Sequence, residues 1–102
     1  MASTIGRETL AVAATAVGLA SIPATTAGYV HEVFITVEDA ACRWDIAEDP
    51  TASQGHLLAV GDTLTIKGDA DIRSIKFIRT TGSSSSLEIS YYGQVVGNTG
   101  AP

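Results

Sequence analysis

Apolar and polar residues alternate along most of this chain with a period of two, not with the period of a helix. In "YVHEVFITVE" (Tyr29–Glu38), His31, Val33, Ile35 and Val37 fall on one face, with Val30, Glu32, Phe34, Thr36 and Glu38 on the other. "ACRWDI" (Ala41–Ile46) sets Cys42, Trp44 and Ile46 against Arg43 and Asp45. Asp39 and Ala40 between these runs suit a tight reversal, so the pattern predicts a hairpin. "DTLTIKG" (Asp62–Gly68) turns Leu64 and Ile66 inward, "RSIKFIRT" (Arg73–Thr80) turns Ile75 and Phe77, and "SLEISYY" (Ser86–Tyr92) turns Leu87, Ile89 and Tyr91. The polar "TGSSSS" between the last two runs has the composition of a hairpin tip.

The two ends are less regular. "ETLAVAAT" alternates through Leu10, Val12 and Ala14, but alanine is also the best helix former. Gly18 and Pro23 follow soon after, which favours a strand or an extended arm. The glycine-rich "GQVVGNTGAP" predicts no regular structure. Short strands with turn signals between them predict an all-β fold, a small β-sandwich or jelly-roll-like barrel. The expected division is an N-terminal arm over 1–28 (extended, or the first strand), a sandwich body over 29–92 and a tail over 93–102. The connection "AEDPTASQG" is long enough to cross from one sheet to the other.

Composition narrows the function classes. At 102 residues the chain fits one domain, and its apolar fraction of 45% includes only 6% aromatics, so its core must be built from small and β-branched residues. A net charge of −5 with six basic residues argues against nucleic acid, which needs clustered Lys and Arg. Arg73, Lys76 and Arg79 share one short segment, which reads as a solvated strand face before it reads as a patch for an acidic partner. Cys42 is the single cysteine, so no internal disulfide can form, and its place in a strand predicts a buried, inert thiol. The N-terminal third superficially resembles a secretion signal. Glu8 adjoins its apolar run, threonines and a glycine interrupt it, and it carries little positive charge, so it is expected to be retained. It is also too short and polar to span a membrane.

The segment with the most chemical promise is "PTASQGHLLAVGDTLTIKG" (Pro50–Gly68). Each feature has a structural explanation. Pro50 fixes a loop angle, Gly55 and Gly61 permit positive φ, and Asp62 can accept backbone amide hydrogen bonds to tie a turn. Gly55, Gly61 and Asp62 are therefore assigned as structural turn residues. A cupin-type metal site at His56 would need further ligands, including a His-X-His pair, and the chain holds two separated histidines. The pairs Glu38-Asp39 and Glu48-Asp49 read as solvated turns, although carboxylates of this kind can bind calcium. Trp44, Tyr29, Tyr91 and Tyr92 could make a sugar platform, but Trp44 shares a face with Cys42 and Ile46, which favours packing. No nucleophile elbow, Walker A loop, dinucleotide glycine pattern or zincin motif is present, so no catalytic, cofactor or metal site is expected.

The order of pieces resembles a group of small structural proteins of tailed-bacteriophage virions. The resemblance rests on Val17-Gly18-Leu19, Val37-Glu38, Arg43-Trp44, Pro50-Thr51, Gly55 to Leu58, Gly61-Asp62 and Tyr91-Tyr92, over roughly residues 15–92. It departs after Arg43-Trp44, where "DIAEDP" replaces an expected Asp-Gly turn. The resemblance implies a non-enzymatic cement or decoration protein on the capsid exterior, assembled in a bacterial cytoplasm. Its partners would be the major capsid protein and its own copies, with a trimer first among the homo-oligomers and neither nucleic acid nor membrane bound. The arm would supply the interface through Leu10, Val12, Val17, Leu19 and Ile22. A neck or tail fibre component and a carbohydrate-binding or adhesion module are the alternatives. A cupin-like enzyme ranks last.

Overall fold

A computed structural model describes residues 3–23, 29–80 and 82–94. In chain order its elements are β1 (Ser3–Val12), β2 (Val17–Gly18), β3 (Tyr29–Val37), β4 (Cys42–Asp45), β5 (His56–Leu58), β6 (Thr63–Lys67), α1 (Asp69–Ser74), β7 (Lys76–Arg79) and β8 (Ser85–Gln94). They form two four-stranded antiparallel sheets, ordered β1-β8-β3-β6 and β2-β7-β4-β5. The order has a simple origin. β4 pairs with β5, β3 with β6, β2 with β7 and β1 with β8, so the chain is one long hairpin rolled into a sandwich. The pairs β3·β8 and β4·β7 then complete the two sheets. This is a jelly roll, with the β4–β5 loop at the tip of the hairpin.

The core follows the period-two pattern. Val33, Ile35 and Val37 of β3 and Leu87, Ile89 and Tyr91 of β8 are almost fully buried, as are Leu10 and Val12 of β1. Cys42 and Phe77 meet them from the other sheet. Each aliphatic side chain buried in this way contributes on the order of 2 kcal/mol. With so few large rings, the sheets depend on many small contacts.

Several expectations are corrected. β3 and β4 do not form a hairpin: they lie in different sheets, and the short Glu38–Ala41 link crosses the sandwich. Conversely, the 46–55 connection does not cross, because β4 and β5 pair with each other. His31 is exposed while Val30 is buried. A register irregularity between Val30 and Glu32 resets the alternation there. The strand expected from Arg73 begins only at Lys76, and α1 precedes it. Gly68, at φ 97, ends β6, and Asp69 and Asp71 then favour the positive end of a short helix. Buried Ile72 and the exposed Asp69–Arg73 pair hold that helix. Arg73, Lys76 and Arg79 therefore do not share one strand face.

Of the two forms expected for the N-terminal segment, residues 3–12 take the second, a first strand. Residues 3–12 form the outer strand of the first sheet, paired in register with β8 from Ser3↔Gly93 to Val12↔Ser85. Leu10 and Val12 are buried in the chain's own core, and Val17, Leu19 and Ile22 pack partly buried against it. Within the single chain all five side chains thus face its own core. The ends of the expected arm (1–2 and 24–28) and most of the expected tail (95–102) lie outside the described residues.

Candidate functional site

The β5–β6 corner contains two of the three assigned turn residues. Gly61 has φ 88, in the region that favours glycine, and its amide donates to the Val37 carbonyl at 2.9 Å. The Ala59 amide donates to Asp62 Oδ2 at 2.8 Å, and the Asp62 amide donates back to the Ala59 carbonyl at 2.9 Å. Both carboxylate and backbone of Asp62 thus close the turn, as the sequence predicts. The Val37 amide donates to the Asp62 carbonyl, which ties the corner to the end of β3.

Gly55, the third, closes the β4–β5 loop. Its φ is 122, and a Cβ there would lie 3.0 Å from the Trp44 carbonyl oxygen and 3.1 Å from Pro50 Cβ. Arg43 projects outward, opposite in alternation to buried Cys42, and draws the loop back toward its own sheet. Its Nε donates to the Ala52 carbonyl at 3.1 Å and its Nη1 to the Gly55 carbonyl at 3.0 Å. An exposed ion pair between Lys76 Nζ and Asp49 at 3.0 Å adds a second tie. His56 sits across the strand pair from Trp44, with ring centroids 4.6 Å apart and the planes tilted by 33°. Both histidine and tryptophan are accounted for by that contact.

Beside this loop lies an open depression of about 330 Å³ lined by Asp45, Glu48, Asp49, Gln54 and Gly55. Two of its three carboxylates already serve the loop itself. Asp45 Oδ1 accepts from the Ile46 and Ala47 amides at 2.7 and 3.1 Å, and Asp49 pairs with Lys76. Among the described residues no three His, Cys, Asp or Glu side chains are placed to hold a metal ion. Cys42 is fully buried, and loss of solvent pushes its thiol up from 9.0 to about 11, with the neighbouring Ser85 hydroxyl acting the other way. Such a thiol is a poor nucleophile at neutral pH.

One constellation was missed from the sequence. Glu8 lies on β1 with the same inward alternation as Leu10 and Val12, and its carboxylate gathers three donors. The Ala20 amide donates to Oε2 at 3.2 Å, the Ser21 amide to Oε1 at 2.8 Å, and the buried Tyr91 hydroxyl also donates to Oε1. Burial, the hydrogen bond to Glu8 and the negative charge of Glu8 all push the Tyr91 phenol far above its usual value. Gly6 lies beside this clamp, and a Cβ there would lie 3.0 Å from the Pro23 ring. The signal was present in the alternation, since a carboxylate sharing the parity of Leu10 and Val12 needs hydrogen-bond donors at the edge of the core.

The remaining surface is plainer. Arg7, Ser90, Phe34 and Thr65 align in one row across the outer face of the first sheet, with Phe34 37% exposed. Leu57 and Val60, beside the β5–β6 corner, are 56% and 54% exposed. Of the aromatic residues considered for a sugar platform, Tyr91 is buried and Trp44 is half-buried against the core. No protein-family model, no curated protein and no solved structure matches this chain.

Proposed function

We propose that this chain is a non-enzymatic structural protein of a tailed-bacteriophage virion, which cements or decorates the capsid exterior by binding the major capsid protein and its own copies. The observation that carries this reading is how the jelly roll uses its polar groups. Glu8, Arg43, Asp45 and Thr51, the described side chains with two or more hydrogen bonds, all close the chain's own turns and connections, as the Asp62 carboxylate also does. A body built in this way acts through its surface. The architecture is one that viral capsid proteins use, and the sequence resemblance over residues 15–92 gives the direction that a fold alone cannot supply. The adhesion reading is weakened by the burial of Tyr91, which takes one ring out of any sugar platform.

The test is a count of copies. Particles produced from a genome encoding this chain are purified, and the ratio of the chain to the major capsid protein is measured by quantitative mass spectrometry. A ratio near one copy per capsid subunit, or one per small cluster of subunits, is expected. A ratio equivalent to a single ring would move the protein to the neck or tail. Absence from the particle would overturn the virion reading.

A further inference from the structure

The first two strands occupy a distinctive place in the fold. β1 is an outer strand of one sheet and β2 an outer strand of the other, and they are consecutive in the chain. Lifting them out together leaves β8-β3-β6 facing β7-β4-β5, a sandwich that keeps both central pairings. The segment after β2 is fastened to β1. Glu8 of β1 holds the amides of Ala20 and Ser21, and Pro23 packs against Gly6. Residues 3–23 are thus one piece, which meets the rest of the chain through the β1·β8 and β2·β7 ladders, the Leu10 and Val12 side chains, the Arg79-to-Ala13 backbone bond and the Tyr91–Glu8 bond.

We infer that this β1–β2 piece is an exchange element: in assemblies of the chain it leaves its own β8 and β7 edges and pairs with the same edges of a second copy. The partner fits because the slot is already complementary to this piece, so exchange remakes the same ladder and the same buried contacts without a new surface. Six Cα steps join Pro23 to Tyr29, a covalent reach of at most about 20 Å, enough for an adjacent copy. The inference deepens the proposed role, since it names how copies would grip one another, and it is tested on the purified chain alone.

Thr9 and Glu88 face each other across β1·β8, joined by a 2.8 Å hydrogen bond. A Thr9→Cys chain and a Glu88→Cys chain are unfolded together, refolded at millimolar concentration, oxidised and separated by size. Buried Cys42 stays as it is. Exchange in an equal mixture predicts an oligomer in which about half of the chains carry a disulfide between position 9 of one variant and position 88 of the other, mapped by peptide mass. An oligomer without that link, or a chain that remains monomeric throughout, overturns the inference. If either variant fails to fold, Arg7→Cys with Ser90→Cys gives the same readout two register positions away. Copy number on particles is a separate measurement, so failure of exchange and failure of the virion reading are distinguishable.

Discussion

The chain has two stretches that must be pinned to a β body, and it pins them with opposite chemistry. After β2, residues 19–23 are held by a carboxylate that points inward and accepts from backbone amides. After β4, residues 46–55 are held by a guanidinium that points outward and donates to backbone carbonyls. Each stretch adds one glycine–proline contact, Gly6 with Pro23 and Gly55 with Pro50. The environments differ. The amide bonds of Glu8 are exposed, but Glu8 also takes the hydroxyl of a fully buried tyrosine, whereas Arg43 bonds only to exposed or half-exposed loop carbonyls. Hydrogen bonds that water can replace are worth little, and those that leave a buried donor stranded are expensive to lose. The inner clamp should therefore matter more to stability than the outer one, except where backbone conformation intervenes.

Gly55 is that exception and carries the largest expected effect. Gly55→Ala puts an L side chain at φ 122, with a fixed backbone oxygen 3.0 Å from its Cβ. Strain of this kind costs about 1–3 kcal/mol before the contact is counted, so a loss of roughly 3 kcal/mol is expected by urea denaturation. Gly6→Ala meets an equally close neighbour, the Pro23 ring, but a ring can shift and no positive φ is required. It should cost only about 1 kcal/mol. Equal losses at the two glycines would show that crowding, not backbone conformation, sets the cost.

Glu8→Ala comes next, at about 2 kcal/mol, because it strands the Tyr91 hydroxyl against the core. Adding Tyr91→Phe to that variant should recover part of the loss. No recovery would mean that the acceptor acts through the Ala20 and Ser21 amides alone.

The same inner region sets an alkaline limit. Both Tyr91 and Cys42 hold their protons more tightly folded than unfolded. The stability this supplies is complete at pH values below the unfolded ones. It is lost for Cys42 as pH rises from 9.0 to about 11, and for Tyr91 above 10.0. Melting temperature should fall steadily across that range, by an amount corresponding to roughly 2 kcal/mol. Tyr91→Phe should flatten the upper part of the curve. A wild-type profile level to pH 11 would contradict the burial of both groups.

The sequence displayed the strands better than their partners. Alternation marked β3, β6 and β8 because each buries one face, and glycine with aspartate marked the β5–β6 corner because few other residues can make it. Pairing was not legible. In a rolled hairpin, neighbours in sequence such as β3 and β4 separate into different sheets, and partners such as β1 and β8 stand at opposite ends of the chain. Helix α1 escaped because one and a half turns carry too little period to read, with Ile72 its single fully buried side chain. Arg43 and Glu8 were legible as charges on a strand. What they hold is decided by tertiary placement of backbone amides and carbonyls, which no residue pattern records.

The smallest expected effect is at the outer clamp. Arg43→Ala removes two hydrogen bonds to exposed or half-exposed carbonyls that water can satisfy, so global stability should fall by only about 0.5–1 kcal/mol. The local consequence should be clearer than the global one. Without the guanidinium, the loop keeps the Lys76–Asp49 pair and the Thr51–Gln54 turn but loses its anchor to β4. Amide exchange at Ser53 and Gln54 should accelerate severalfold, while that of the β3 and β8 amides stays unchanged. Adding high salt to the variant should speed it further, because the exposed ion pair is then screened. Uniform acceleration across β3 and β8 would place Arg43 among the supports of the whole sandwich and erase the distinction between the two clamps.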